Sequence, residues 1–295
     1  MHRRHLLLAL PALATTARGA DAPLQVVTSF SILADWVREI AGDAAVVSAL
    51  VGANADAHVY EPTPADVRRV ARADLVVLNG LGFEGWIERL ATAAGRARRV
   101  VATEGIVPRR VGPAVDPHVW HSLPLAERCI DTLRAALATA RPERAADFAR
   151  RADDYRVRLR ALEVRAQAAM HAIPVDARRV ITSHDAFGYL GDAFDIRFVA
   201  PRGWNTDAEP SAAQVATLVR QVRALQVRAL FVENITDRRL VDRIARDTGA
   251  VVGGTLYSDA LSPPGTEADT FLRLYEHNVT TLATALRRAL AATAR

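Results

Sequence analysis

An α/β protein of two βα lobes, each with a mostly parallel sheet, joined by one long rigid helix, is what this 295-residue sequence predicts. Three observations carry that expectation. Short β-branched runs alternate with amphipathic stretches over the first hundred residues, the same alternation resumes after Pro174, and 123–172 between them is helix-forming without a glycine. Strands that alternate with helices require a parallel sheet covered on both faces.

The elements follow in order. Gln25-Val26-Val27-Thr28 reads as a strand, and 32–41 as a helix ended by Gly42. Val46-Val47-Ser48-Ala49-Leu50 is a second strand. Thr63-Pro64-Ala65-Asp66 then starts a helix, with Thr63 as cap, Pro64 at the first helical position and Asp66 closing a box-like cap. Leu75-Val76-Val77-Leu78 and Arg99-Val100-Val101-Ala102 are the third and fourth strands. From 123 to 172 the chain is rich in Ala, Arg, Leu and Glu, and Pro142 divides it. A helix over 141–171 would run about 45 Å at 1.5 Å per residue, too long for one small lobe, so it reads as a connector. Beyond it, Arg179-Val180-Ile181-Thr182 is a strand leading into a helix over 185–193, and Ile196-Arg197-Phe198-Val199 is another strand. A helix over 211–225, the strand Ala229-Leu230-Phe231-Val232, a helix over 237–248 ended by Gly249, the strand Ala250-Val251-Val252 and a helix from about Glu267 complete the series. The implied organisation is a leader at 1–22, a first lobe at 23–140, a linking helix at 141–172 and a second lobe at 173–295.

The leader is read from its chemistry. Met1-His2-Arg3-Arg4-His5 is basic, 6–14 is a short apolar run broken by Pro11, and small residues follow to Ala22. That is a secretory signal peptide, too short to anchor in a bilayer. The one cysteine, Cys129, sits on an amphipathic stretch as a small core residue. No cysteine follows the apolar run to carry a lipid, so the expected location is the periplasm. Half of the residues are hydrophobic, enough for a packed core. Arg3, Arg4, Arg18 and Asp21 would leave with the leader, lowering the formal charge from +5 to +3. The remaining arginines are interspersed with acids, as in Arg150-Arg151-Ala152-Asp153-Asp154. That is a solvated helix face and does not support nucleic-acid binding.

His58, His118, His184 and Asp259 stand 60, 66 and 75 residues apart, each in a segment with loop chemistry. His58 falls after the second strand, His118 after the fourth, His184 just past Thr182, and Asp259 past Val252. In open α/β sheets ligands bind beyond the carboxyl ends of the strands, so the cleft between the lobes is the expected site. Three neutral imidazoles and a carboxylate make a complete four-coordinate shell for a borderline-soft divalent ion, Zn2+ above all. Because every ligand comes from a different part of the chain, the tertiary fold would hold the ion, which suits capture and release.

The same segments carry a resemblance. His58-Val59-Tyr60-Glu61-Pro62-Thr63-Pro64, Asp116-Pro117-His118-Val119-Trp120, Thr182-Ser183-His184-Asp185-Ala186-Phe187-Gly188-Tyr189 and Ser258-Asp259-Ala260-Leu261 resemble, in order, the four ligand motifs of the cluster A-I solute-binding proteins. That family delivers zinc or manganese to ABC importers. The resemblance implies two lobes joined by one long helix. The implied partner is a cognate permease in the inner membrane, with a periplasmic metallochaperone as a second candidate, and a monomer is expected. At the third position this chain has His184, as zinc-type members do, where manganese-type members typically carry glutamate. Mn2+ is therefore the lesser expectation. The His-rich loop of many zinc-specific members is absent: 103–115 contains no histidine.

Competing readings bear on individual residues. Ser258-Asp259 can also cap a turn. His121 reads as a neighbour of the site, Asp185 as a helix cap or the partner of a ligand imidazole, Glu61 and Glu209 as cleft or turn residues, and His171 and His277 as solvated helix positions. The alternatives in function are a manganese- or iron(II)-binding member of the same family, and an exported zinc hydrolase. Three histidines with an open position for water would make the latter, with Glu61 or Asp185 as base.

Overall fold

The computed structural model describes residues 22–293 apart from 88–89, 91–94, 96, 202, 204–205, 209–210, 225–226 and 228. The expected leader and Glu209 lie outside the described residues.

Two four-stranded parallel sheets organise the chain. The first contains β1 (Leu24–Phe30), β2 (Ala45–Val51), β3 (Leu75–Leu78) and β4 (Arg98–Val101), in the order β2-β1-β3-β4. The helices α1 (Ser31–Ala41) and α2 (Pro64–Arg72) follow β1 and β2. A short antiparallel pair, β5 (Arg110–Val111) and β6 (Ala114–Val115), comes next. Then come α3 (Leu123–Ala140) and α4 (Ala145–His171). The second sheet contains β7 (Arg179–Ile181), β8 (Arg197–Val199), β9 (Ala229–Glu233) and β10 (Val251–Leu256), in the order β10-β9-β7-β8. Its helices are α5 (Gly188–Phe194), α6 (Ala212–Ala224), α7 (Arg239–Thr248) and α8 (Phe271–Thr293). Counted within each lobe, both sheets have the order second, first, third, fourth, so one topology occurs twice.

The local rules read from the sequence are visible. Thr63 caps α2: its hydroxyl accepts from Asp66 N at 3.3 Å, and Asp66 Oδ2 accepts from Thr63 N at 2.7 Å. Such a cap contributes about 1 kcal/mol. Pro142 opens a 3-10 turn, Pro142–Arg144, and α4 begins only at Ala145. Its 27 residues run about 40 Å. The helix after His184 starts at Gly188, three residues later than expected, because Thr182 Oγ1 bonds the His184 carbonyl and holds that stretch as a turn. Likewise α8 begins at Phe271 and not near Glu267, where the Tyr257 hydroxyl donates to Glu267 Oε1.

The lobes share their apolar interior. Helix α4 packs on α1 and α3 of the first lobe and on α8 of the second. The N-terminus of α8 is seated on α1: Asp35 Oδ2 accepts from Phe271 N at 2.9 Å, and the Trp36 and Phe271 rings lie 5.0 Å apart. One buried cluster runs from Leu24 through Trp36, Tyr155 and Phe231 to Leu286, and a separate smaller one (Ile181, Val215, Leu218, Leu230, Ile244) lies within the second lobe.

Candidate metal centre

His58, His118, His184 and Asp259 converge. One ligand atom from each lies within 4.8 Å of the others, although they come from four separated segments. The three histidine rings are 5.4 to 5.7 Å apart, centroid to centroid. His58 follows β2 of the first sheet, and His184 and Asp259 follow β7 and β10 of the second, at the carboxyl ends of those strands as the topology predicts.

Each arm is fixed by its own bonds. The loop carrying His58 is held by Trp86 Nε1, which donates to the Ala57 carbonyl at 2.6 Å, and by the Tyr60 hydroxyl, which donates to Asp66 Oδ2 at 2.7 Å. His118 follows β6 and not β4 directly, since the β5–β6 hairpin intervenes. Its backbone is held by Asn79 Nδ2, donating to the Pro117 carbonyl at 3.0 Å. For the fourth arm, Asn278 clamps Tyr257 through both its amide atoms, at 2.8 and 2.7 Å. Trp120 Nε1 then donates across the cleft to the Ser258 carbonyl at 2.8 Å. The residue two beyond one ligand therefore braces the residue before another.

Two buried carboxylates aim the imidazoles. Asp116 Oδ1 lies 2.9 Å from His118 Nδ1 and accepts from His118 N at 3.0 Å. Glu233 Oε2 lies 2.5 Å from His184 Nδ1, while its Oε1 accepts from Ser183 N and His184 N at 2.6 and 2.8 Å. With Nδ1 facing a carboxylate, Nε2 is left as the metal-facing atom. Asp259 Oδ2 lies 3.1 Å from His58 Nε2 and 3.2 Å from His184 Nε2, and its Oδ1 lies 3.6 Å from His118 Nε2.

The electrostatics match. Burial pushes the Asp259 carboxyl up, but the neighbouring imidazoles, His184 and His118 first and then His58, outweigh that and hold it well below the usual range. Burial pushes His184 down, but Glu233 and Asp259 on its two sides raise it well above an ordinary histidine. The Nε2 atoms of all three histidines and both oxygens of Asp259 are buried without a hydrogen-bond partner among the described residues. Orphaned buried polar atoms are costly unless something else engages them. A divalent cation at their focus would engage all of them at once.

The remaining candidates sort clearly. His121 is buried among aromatic rings, 4.7 Å from Phe187 by centroid, and outside the quartet; burial first, then His118, pushes it down to about 3. Asp185 N donates to the Gly203 carbonyl, and the carboxylates on the ligand imidazoles are Asp116 and Glu233. Glu61 is exposed. His277 is half-buried and bonds the Thr255 carbonyl at 3.0 Å, so it is less solvated than its helical position implies. Sequence reasoning missed Glu233 and gave Asp116 no role of its own. Asp116 had a signal, since it stands two residues before His118 and can reach back to that ring.

Comparison with known proteins agrees with this geometry. The family model described as zinc-uptake complex component A, periplasmic (ZnuA), matches residues 26–285. The chain is 30% identical over 284 residues to the manganese-binding lipoprotein MntA of Bacillus subtilis, covering 92% of this chain and 93% of that one. It is 31% identical over 264 residues to the iron-binding protein YfeA of Yersinia pestis, covering 88% and 85%. Among solved structures, the periplasmic zinc-binding protein TroA of Treponema pallidum superposes with a TM-score of 0.86 at 28% identity, covering 90% of this chain and 99% of that one. These relatives are solute-binding proteins and not enzymes, which sets the hydrolase reading aside. No helix among the described residues is long and apolar enough to cross a membrane.

Proposed function

We propose, since this chain belongs to the zinc-uptake complex component A family of periplasmic metal-binding proteins of ABC transporters, that its cargo is Zn2+, held by His58, His118, His184 and Asp259. The observation that carries the reading is the donor set. Three imidazole Nε2 atoms and one carboxylate face one point, and two further carboxylates lie against the Nδ1 atoms of His118 and His184, at 2.9 and 2.5 Å. Nitrogen-rich sites favour Zn2+, and the Irving–Williams order places Mn2+ well below it for any such site. The protein delivers the ion to the permease of its importer as a monomer, from lobes at 23–140 and 173–295 bridged by 141–172, and a periplasmic metallochaperone is a second candidate partner. The test is metal analysis of protein purified without added metal, followed by competition calorimetry. A 1:1 zinc complex of nanomolar or tighter affinity is expected, about −12 kcal/mol or better. Equal affinity for manganese would reject the zinc assignment.

One observation favours a second reading. Both oxygens of Asp259 face imidazoles, so a bidentate carboxylate would supply a fifth donor and suit Mn2+ or Fe2+. The relatives named manganese-binding and iron-binding fit that alternative. The same calorimetry separates the two.

A further inference from the structure

Asp116 uses one carboxylate oxygen on His118 and leaves the other, Oδ2, pointing away from the metal centre. Arg109 stands there, with Nη1 3.5 Å from Oδ2. Arg109 precedes β5, while Asp116 follows β6, so the hairpin folds the two together; Asp116 N also donates to the Arg109 carbonyl at 3.0 Å. The second lobe closes over this pair. The Tyr189 hydroxyl accepts from Arg109 N at 2.8 Å and donates to the Asp116 carbonyl at 3.1 Å. Burial pushes that hydroxyl up to about 12, so it keeps the proton it donates. Arg109 Nε also donates to Asp192 Oδ2 at 3.0 Å. Gly188 lies against the pair: a Cβ there would sit 2.7 Å from Asp116 Oδ2 and closer still to Arg109 Nη1.

Charge balance gives the arginine a purpose. Asp116, Glu233 and Asp259 are all buried. With neutral imidazoles, a divalent ion offsets two of these three negative charges. Arg109 supplies the positive charge for the third, and it does so at one of the two carboxylates, Asp116 and Glu233, that no direct metal bond would neutralise. Its two ion pairs are unequal. Asp192 is 65% exposed, so that pair contributes little, whereas the Asp116 side chain is fully buried.

We infer that Arg109 is a positioning residue for the metal: it holds Asp116 so that Asp116 holds His118, and it ties that ligand arm to the second lobe. The inference rests on the metal assignment made above. Without the guanidinium, Asp116 is a buried charge with one oxygen unpartnered, and it no longer fixes the His118 ring. Groups that orient a ligand in this way change metal binding by about 10- to 100-fold when removed.

The test is zinc release into excess chromophoric chelator, followed by stopped flow. Arg109→Gln should lose zinc about tenfold faster than the parent chain, and Arg109→Lys, which keeps the charge, should recover most of the difference. Asp116→Asn should be as fast as Arg109→Gln, and the double variant no faster than Asp116→Asn, because the arginine acts through the carboxylate. In imidazole nitrogen NMR of the zinc-loaded protein, the His118 Nδ1–H signal should broaden in Arg109→Gln, a change that loss of overall stability alone does not produce. Should Arg109→Gln not fold, Gly188→Ala displaces the guanidinium from the other lobe and should also speed release. Unchanged release in Arg109→Gln, or effects of Arg109→Gln and Asp116→Asn that multiply, would overturn the inference while leaving the metal assignment in place. A parent chain that retains no zinc would overturn both.

Discussion

Glu233, at the last position of β9, lies 2.5 Å from Nδ1 of His184, 49 residues earlier in the chain, and takes the backbone N–H of the same histidine on its other oxygen. One side chain thus fixes both the position of a ligand loop and the orientation of its ring. Replacing Glu233 with Gln keeps the shape but removes the charge, and the amide can present N–H where an acceptor is required. Zinc affinity should fall by about 10- to 100-fold. Chelator competition checks this, and a variant as tight as the parent would show that Glu233 only packs.

Among the described residues, Asp259 is the one carboxylate that faces all three imidazoles. Asp259→Ala should leave three histidines holding zinc about a hundredfold more weakly, near 2.7 kcal/mol, with water in the vacated position. Zinc at a hundred times its Kd stabilises a folded chain by about 2.7 kcal/mol, so the zinc-dependent rise in thermal midpoint should largely vanish at the same zinc concentration. Retention of the full rise would remove Asp259 from the ligand set.

Protons and metal compete for the same nitrogen atoms. Affinity should decline as pH falls, and the decline should already begin above the ordinary histidine value near 6.5. Because His184 is raised well above that value by Glu233 and Asp259, zinc must already displace a proton at pH 7. Calorimetry in buffers of different ionisation enthalpy should report about one proton released per zinc. A binding enthalpy independent of buffer would contradict this.

The same raised histidine has a consequence for the metal-free chain. A group whose folded pKa is raised contributes stability that is fully present below its unfolded value and is lost as pH rises through the folded one. The thermal midpoint of metal-free protein should therefore fall on the alkaline side of neutrality. Zinc should flatten that fall by replacing the proton, and a profile equally steep with and without zinc would count against it.

Opening of the lobes should be small. The main apolar cluster is continuous between them, and bonds such as Trp120 Nε1 to the Ser258 carbonyl and Asn54 N to the Leu261 carbonyl, at 2.8 and 2.9 Å, cross the cleft. Scattering with and without zinc should give radii of gyration within about 1 Å, unlike a wide hinge closure. A larger difference would refute the stiff connection.

What was legible in the sequence depended on how local the signal is. His58, His118, His184 and Asp259 were legible because each sits among turn-forming residues just past an apolar run, and a titratable side chain there has little reason to be structural. Glu233 ends the run Ala229-Leu230-Phe231-Val232, where a carboxylate reads as the edge of a strand; only tertiary folding brings it to His184. The β5–β6 hairpin has two residues per strand, too few for any period to appear. The repeated sheet order was invisible for a different reason. The two halves share a path but not the residues at matching points: the first lobe sends its ligands after its second strand and after the hairpin beyond its fourth, the second after its first and fourth strands.

The seating of Phe271 on Asp35 also bears on the order of events when the chain is made. Helix α8 is synthesised after every other described element, yet it covers Trp36 in the helix that follows the first strand. The early half cannot seal its interior until α8 has emerged, so neither half is a separate folding unit. A newly made chain should stay open until then, and the finished metal-free protein should unfold in a single transition. Removing the last helix should leave no half folded on its own.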